Sequence, residues 1–171
     1  MQLPDASFDV AHFSSVLAYQ SDPLAALTVA YRALKPGGLI STREPQKEGD
    51  WFGGPHREAV AMLNNVVMED GFKSAGRDPF IGRRLGTLLY AAGFERLELT
   101  PALSSALSNV QALAGFAQRR LNDPEFVARV VRRGWITAEQ SAELARATLV
   151  WSESDESVVA FGECIAIGWK P

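Results

Sequence analysis

The chain has 171 residues, a net charge of −3, and 47% hydrophobic and 22% charged residues. That balance suits a soluble globular domain with a sizeable core, and it supplies no global basic field to gather nucleic acid. A single cysteine (Cys164), two distant histidines (His12 and His56) and the absence of any apolar run of about 18 residues exclude a disulfide framework, a clustered metal site and a membrane-spanning helix.

Met1-Gln2-Leu3-Pro4-Asp5 has neither the basic start nor the apolar stretch of a signal peptide, so a cytoplasmic protein is expected. Phe8 to Phe13 follows the turn-like Pro4-Asp5-Ala6-Ser7 and reads as a short strand. After the loop Ser14-Ser15, Asp22 and Pro23 open a helix, the first as N-cap and the second at the first helical position. Leu24, Leu27, Tyr31 and Leu34 fall on one face of it. Lys35-Pro36-Gly37-Gly38 stops that helix, with glycine supplying the positive φ of a C-terminal turn. Leu39 to Arg43 is a second strand. Strand, helix and strand within about 35 residues suit a βαβ unit with a right-handed crossover.

An irregular, wet segment from Glu44 to Pro55 carries Trp51 and Phe52. A helix is predicted from His56 to Asp70, striped by Val60, Leu63 and Val67, and another from Asp78-Pro79 to Gly93, carrying Leu85, Leu88 and Leu89. Phe94 to Thr100 reads as a third strand. Three helices follow: Ser105 to Leu121, Asp123-Pro124 to Gly134, and one from Thr137, where Thr137 and Gln140 have capping-box spacing. From Ser157 to Trp169 the sequence alternates. Val159, Phe161, Glu163, Ile165, Ile167 and Trp169 share one face, and the other is nearly all small. The period of two predicts a strand whose small face lets a helix or a neighbouring backbone approach closely.

The run Leu3-Pro4-Asp5-Ala6-Ser7-Phe8-Asp9-Val10, continued by Val16-Leu17, Asp22-Pro23 and Arg32-Ala33-Leu34-Lys35-Pro36-Gly37-Gly38, resembles class I S-adenosylmethionine-dependent methyltransferases of the UbiE-like small-molecule type. Gly93-Phe94 and the ending Gly168-Trp169-Lys170-Pro171 are similar to the family as well. The resemblance implies an α/β chain holding the C-terminal half of a Rossmann-like methyltransferase sheet. It would have about four strands, the last antiparallel, with a helical insertion before the last. The expected organisation is one partial domain over 1–171: a strand-helix-strand core over 1–100, a helical cap over 101–151 and the final strand over 152–171. The family's glycine-rich cofactor loop lies before its fourth strand, which Phe8 to Phe13 matches, and no Gly-x-Gly-x-Gly occurs in these 171 residues. Only part of an S-adenosylmethionine site, and impaired transfer, are therefore expected.

By the same resemblance, Phe13, Ser14, Ser15 and Tyr19 would contact the cofactor, as ligands of open α/β sheets bind beyond the carboxyl ends of the strands. Arg43, Glu44 and Trp51, which follow the next strand, are candidate walls for a small-molecule substrate, with an ordinary solvated loop as the alternative. Arg77, Arg83 and Arg84 form a local basic cluster that reads either as an anion receiver or as a solvated face with ion pairs. No catalytic residue and no metal ligand can be named. In the family the first strand of the fold pairs with the fourth, so Phe8 to Phe13 would present an open edge here. A homodimer covering that edge is expected, with neither nucleic acid nor membrane as partner. The rival reading is a non-catalytic remnant acting as an oligomerisation or binding module.

Overall fold

The computed structural model describes residues 3–104 and 110–171, so the start of the helix expected from Ser105 lies outside the described residues. Those residues contain the strands β1 (Phe8–Ser14), β2 (Leu34–Pro45), β3 (Trp51–Gly53), β4 (Glu95–Ser104) and β5 (Val158–Trp169). The helices are α1 (Pro23–Ala33), α2 (Arg57–Gly71), α3 (Leu85–Ala91), α4 (Val110–Leu121), α5 (Pro124–Arg132) and α6 (Ala138–Glu153). They fall into two compact units: Met1–Gly49, Gly76–Leu103 and Gly162–Pro171 form one, Asp50–Ala75 and Ser104–Phe161 the other.

The first unit is the α/β layer that the sequence predicts. β1 runs parallel to β2, β2 runs antiparallel to β5, and β4 pairs with β5. Asp22 caps α1 as expected, its Oδ1 accepting from Ala25 N at 2.9 Å, with Pro23 at the first helical position. The expected turn at Lys35-Pro36-Gly37-Gly38 takes a different form. α1 ends at Ala33 and β2 begins at once at Leu34. Phe8 lies opposite Leu34 and Val10 opposite Leu39, so the Lys-Pro-Gly-Gly run is extra length bulged out of the ladder. Gly37 takes φ +78° there, and its N–H donates to Lys170 O. Lys170 Nζ in turn donates to the carbonyls of Tyr31 and Leu34 at 2.8 and 2.7 Å, a cation on the carbonyl end of α1. α1 packs on β2 and α3, with Leu27, Leu34, Ile40, Leu85, Leu89 and Phe94 buried.

The helix expected from Asp78-Pro79 begins later, at Leu85. Asp78 instead accepts from Phe80 N at 3.0 Å, and a 3-10 turn spans Ile81–Arg84. The small face of β5 is used as its alternation predicts. Gln46 N donates to Gly162 O, and a Cβ built at Gly162 would stand 2.3 Å from Gln46 O and 2.6 Å from Gly49 Cα.

In the second unit, α2 joins α4, α5 and α6 around Leu63, Val67, Ala117, Phe126, Val130 and Leu144. Its apolar stripe packs with these helices. Thr137 and Gln140 form the expected reciprocal capping box. The segment expected to be irregular after Glu44 contains β3, which pairs antiparallel with Val158–Ala160. Phe52 packs on the buried cluster of Val60, Trp151 and Val159, and Trp151 Nε1 donates to Gly53 O at 2.8 Å. Three residues are too few to display a period.

Candidate functional site

The carboxyl ends of β1 and β2 meet where Ser14 stands opposite Arg43. Ser15 leaves the strand with φ +52°, a left-handed conformation that few residues other than glycine adopt. Its N–H donates to Arg43 O at 2.8 Å. One side chain takes the next three N–H groups. Glu44 Oε1 accepts from Val16 N at 3.0 Å and from Leu17 N at 2.9 Å, and Oε2 accepts from Ala18 N at 3.2 Å. A short 3-10 turn then closes over Leu17–Tyr19. The far side of the turn is tied as well. Ala18 O accepts from Asp78 N at 3.1 Å, and the Arg77 guanidinium sits 5.1 Å from the centre of the Tyr19 ring.

Strand alternation explains why Glu44 is here. Ile40, Thr42 and Glu44 share the buried face of β2 and all three are 0% exposed. Glu44 is the residue just past Arg43, so its side chain lies under the turn that follows Ser14. Burial pushes its carboxyl above the ordinary range. The three N–H donors pull the other way without overcoming that push.

Arg43 and Glu44, expected together at a substrate wall, point to opposite faces. Arg43 shares the face of Ser14, and its Nε donates to Glu163 Oε2 at 2.6 Å across β2 and β5. Glu44 is not on an accessible wall, since it is fully buried and engaged with backbone. Among the residues expected at the cofactor, Ser14, Ser15 and Tyr19 are exposed at the exit of β1. Phe13 is half-buried, and with Phe8, Val10, Val29, Ala33 and Leu34 it lines a groove of about 280 Å³ beside β1 and α1. Trp51 belongs to the second unit, exposed on β3. The basic cluster is paired: Arg83 with Glu48 at 2.7 Å, Arg84 with Asp78 at 2.9 Å, and Arg77 stacked on Tyr19.

The turn presents hydroxyls and an aromatic ring to solvent, and carries its N–H groups inward. Val16, Leu17 and Ala18 have no N–H to spare for an anion, because the protein's own carboxylate holds them. Contact with a ligand here would fall to the side chains of Ser14, Ser15 and Tyr19 and to the carbonyls. Sequence reasoning found the exposed residues and missed the clamp. The available signal was the parity that puts Glu44 on the buried side of β2 with Ile40 and Thr42.

Three comparisons bear on this geometry. Residues 1–42 match a family model described as a methyltransferase domain. The Aspergillus luteorubrus protein named "Probable methyltransferase ltbC" is 27% identical over 186 aligned residues, covering 98% of this chain and 61% of that protein. A Thermotoga maritima structure described as a SAM-dependent methyltransferase, possible histamine N-methyltransferase, superposes on the whole chain with a TM-score of 0.51 at 19% identity. The chain covers 60% of that structure. A Bacillus halodurans C-125 structure superposes with a TM-score of 0.53 at 18% identity, and the chain covers 68% of it.

Proposed function

We propose that the chain is a class I S-adenosylmethionine-dependent methyltransferase that serves methyl transfer from S-adenosylmethionine to a small-molecule acceptor, in the manner of the UbiE-like type; the methyltransferase-domain match over residues 1–42 and the Aspergillus luteorubrus relative support this. The observation that carries this reading is the exit turn of β1. Ser14, Ser15 and Tyr19 stand exposed at the carboxyl end of a parallel strand, on a backbone fixed from beneath by Glu44. Hydroxyls and an aromatic ring fit a cofactor with a polar amino-acid end, a ribose and a base. When bound, the cofactor supplies an electrophilic methyl group. The residues of the turn would hold it in one orientation, and positioning of that kind supplies much of the rate of a transfer reaction. Arg43, on the face of Ser14, is the residue this reading assigns to the acceptor. Because these 171 residues contain no Gly-x-Gly-x-Gly, transfer by this chain alone is expected to be weak.

Calorimetric titration with S-adenosylmethionine tests the reading. Saturable binding, weakened about tenfold in a Ser14→Ala/Ser15→Ala double variant, is the expected result. Heats that never saturate at about millimolar cofactor would sink it.

A second reading, a binding or oligomerisation module, is favoured by the free side of β1. That strand ends the sheet order, and Phe8 and Val10 on it are 43% and 55% exposed. We propose that a second copy covers it, β1 against β1 about a two-fold axis, since an isologous pair satisfies both free edges at once. A dimer mass in light scattering is expected, and a monomer at every concentration counts against it. We propose a cytoplasmic location under either reading. No helix among the described residues is long and apolar enough to cross a membrane.

A further inference from the structure

We propose that Glu44 is a positioning residue for the cofactor rim: its buried carboxylate gathers the N–H groups of Val16, Leu17 and Ala18 and so sets where Ser14, Ser15 and Tyr19 stand. This rests on the reading that those three residues meet S-adenosylmethionine.

Three features of the turn support it. First, the conformation at Ser15 is one that a serine adopts only when its surroundings impose it, and φ +52° falls immediately before the three clamped amides. Second, the clamp spans the full width of the carboxylate, with two N–H groups on one oxygen and one on the other. A glutamine in its place would keep one accepting oxygen and aim an NH2 at an N–H, so charge and shape are both required. Third, the clamp acts on backbone. The side chains of Val16 and Tyr19 can vary while the path of the chain stays fixed, as a turn that presents ligand-facing groups needs. A burial cost in ionising Glu44 is what a group retained for geometry would carry.

Glu44→Gln in the full chain tests this by amide NMR and by titration with S-adenosylmethionine. In the wild type the amide protons of Val16, Leu17 and Ala18 should lie downfield and exchange slowly, as donors to a carboxylate do. Fast exchange of these three in the wild type would overturn the inference without any variant. In Glu44→Gln the three resonances should move upfield together and lose about tenfold in protection, while amides pairing β2 with β5 stay unchanged. The dissociation constant for S-adenosylmethionine should rise about tenfold in the same samples.

A merely structural role would move the amides and leave the affinity of the folded protein as it was, and that result overturns the inference. Glu44→Asp, which keeps the charge and shortens the reach, serves if Glu44→Gln does not fold. It should show the same paired losses, and unaltered amides and affinity in it would again count against the role. A wild type that binds no S-adenosylmethionine removes the cofactor reading itself. A wild type that binds, with Glu44→Gln binding equally well, removes this inference alone.

Discussion

Glu44 and Asp70 are both withdrawn from water, the first under the exit turn of β1 and the second where α2 meets α5. Glu44 is 0% exposed and the Asp70 side chain 8%. Their partners differ in charge. Glu44 receives three neutral backbone N–H groups. Asp70 receives the fork of Arg129, Nε to Oδ1 at 2.8 Å and Nη2 to Oδ2 at 2.9 Å, with Arg133 Nη1 at 3.5 Å from Oδ1. The acidities split accordingly. The Arg129 hydrogen bonds hold Asp70 below the ordinary carboxylate value against the opposing effect of burial, whereas burial leads at Glu44 and raises it. Oriented dipoles can engage both oxygens of a carboxylate and still leave its charge expensive, and a guanidinium fork reverses that. Asp70 is thus held by opposite charge, and Glu44 by backbone dipoles alone.

Removing each carboxylate should expose the difference, with the larger loss at the turn. Glu44→Ala leaves three inward-facing N–H groups without an acceptor, two of them on fully buried residues, and should cost about 3 kcal/mol in urea unfolding. Asp70→Asn should cost about 2 kcal/mol at neutral pH. That is less than a fully buried pair would lose, because the Arg129 side chain is 31% exposed and can hydrate once freed. A loss at Asp70 exceeding that at Glu44 would mean that Arg129 and Arg133, freed of their carboxylate, cost more than three inward-facing N–H groups without an acceptor.

The pH dependence of stability should run in opposite directions at the two sites. Asp70 is lowered from an ordinary 3.8, so its contribution is complete above that value and is lost as pH falls below it, through the lowered value. Glu44 is raised from an ordinary 4.5, so its contribution is complete below 4.5 and is lost as pH climbs from there through the raised value. Unfolding free energies from about pH 2 to 8 should therefore show an acid limb that Asp70→Asn flattens. They should also show a decline above pH 4.5 that Glu44→Gln flattens. If Glu44→Gln flattened the acid limb instead, the carboxylate would be stabilised by its amides more than burial opposes it.

What the sequence disclosed about these regions follows from how far each interaction reaches. The caps at Asp22, Asp123 and Thr137 are legible because one side chain answers an N–H two or three residues on. β5 is legible because twelve residues show its period, and Gly162 faces backbone as the small face implies. The exit of β1 is legible as a strand end rich in hydroxyls. The partners that hold it are not, since Glu44 is separated from Val16 by 28 positions and Asp70 from Arg129 by 59. β3 is too short to show a period, and the bulge at Lys35-Pro36-Gly37-Gly38 reads locally as a stop because only the register with β1 reveals it as part of a strand.

The smallest expected effect is also the most direct test of what Glu44 imposes. Glycine takes the φ +52° of Ser15 without the crowding a Cβ brings, at the cost of a freer unfolded chain. Ser15→Gly should therefore stabilise the wild type by about 0.5 kcal/mol, the strain relieved slightly exceeding the entropy lost. The informative quantity is the same substitution in a Glu44→Gln background. If the clamp forces Ser15 into the left-handed region, loosening the clamp lets the turn relax. Ser15→Gly then has no strain left to relieve, and only the entropic cost remains. The two substitutions should couple by about 1–1.5 kcal/mol in a double-mutant cycle, the net gain plus the entropic cost. An effect of Ser15→Gly that is equal in both backgrounds would mean that the conformation at Ser15 is set by the Arg43 carbonyl or by the Asp78 side of the turn. Glu44 would then fill hydrogen-bonding capacity without shaping the rim.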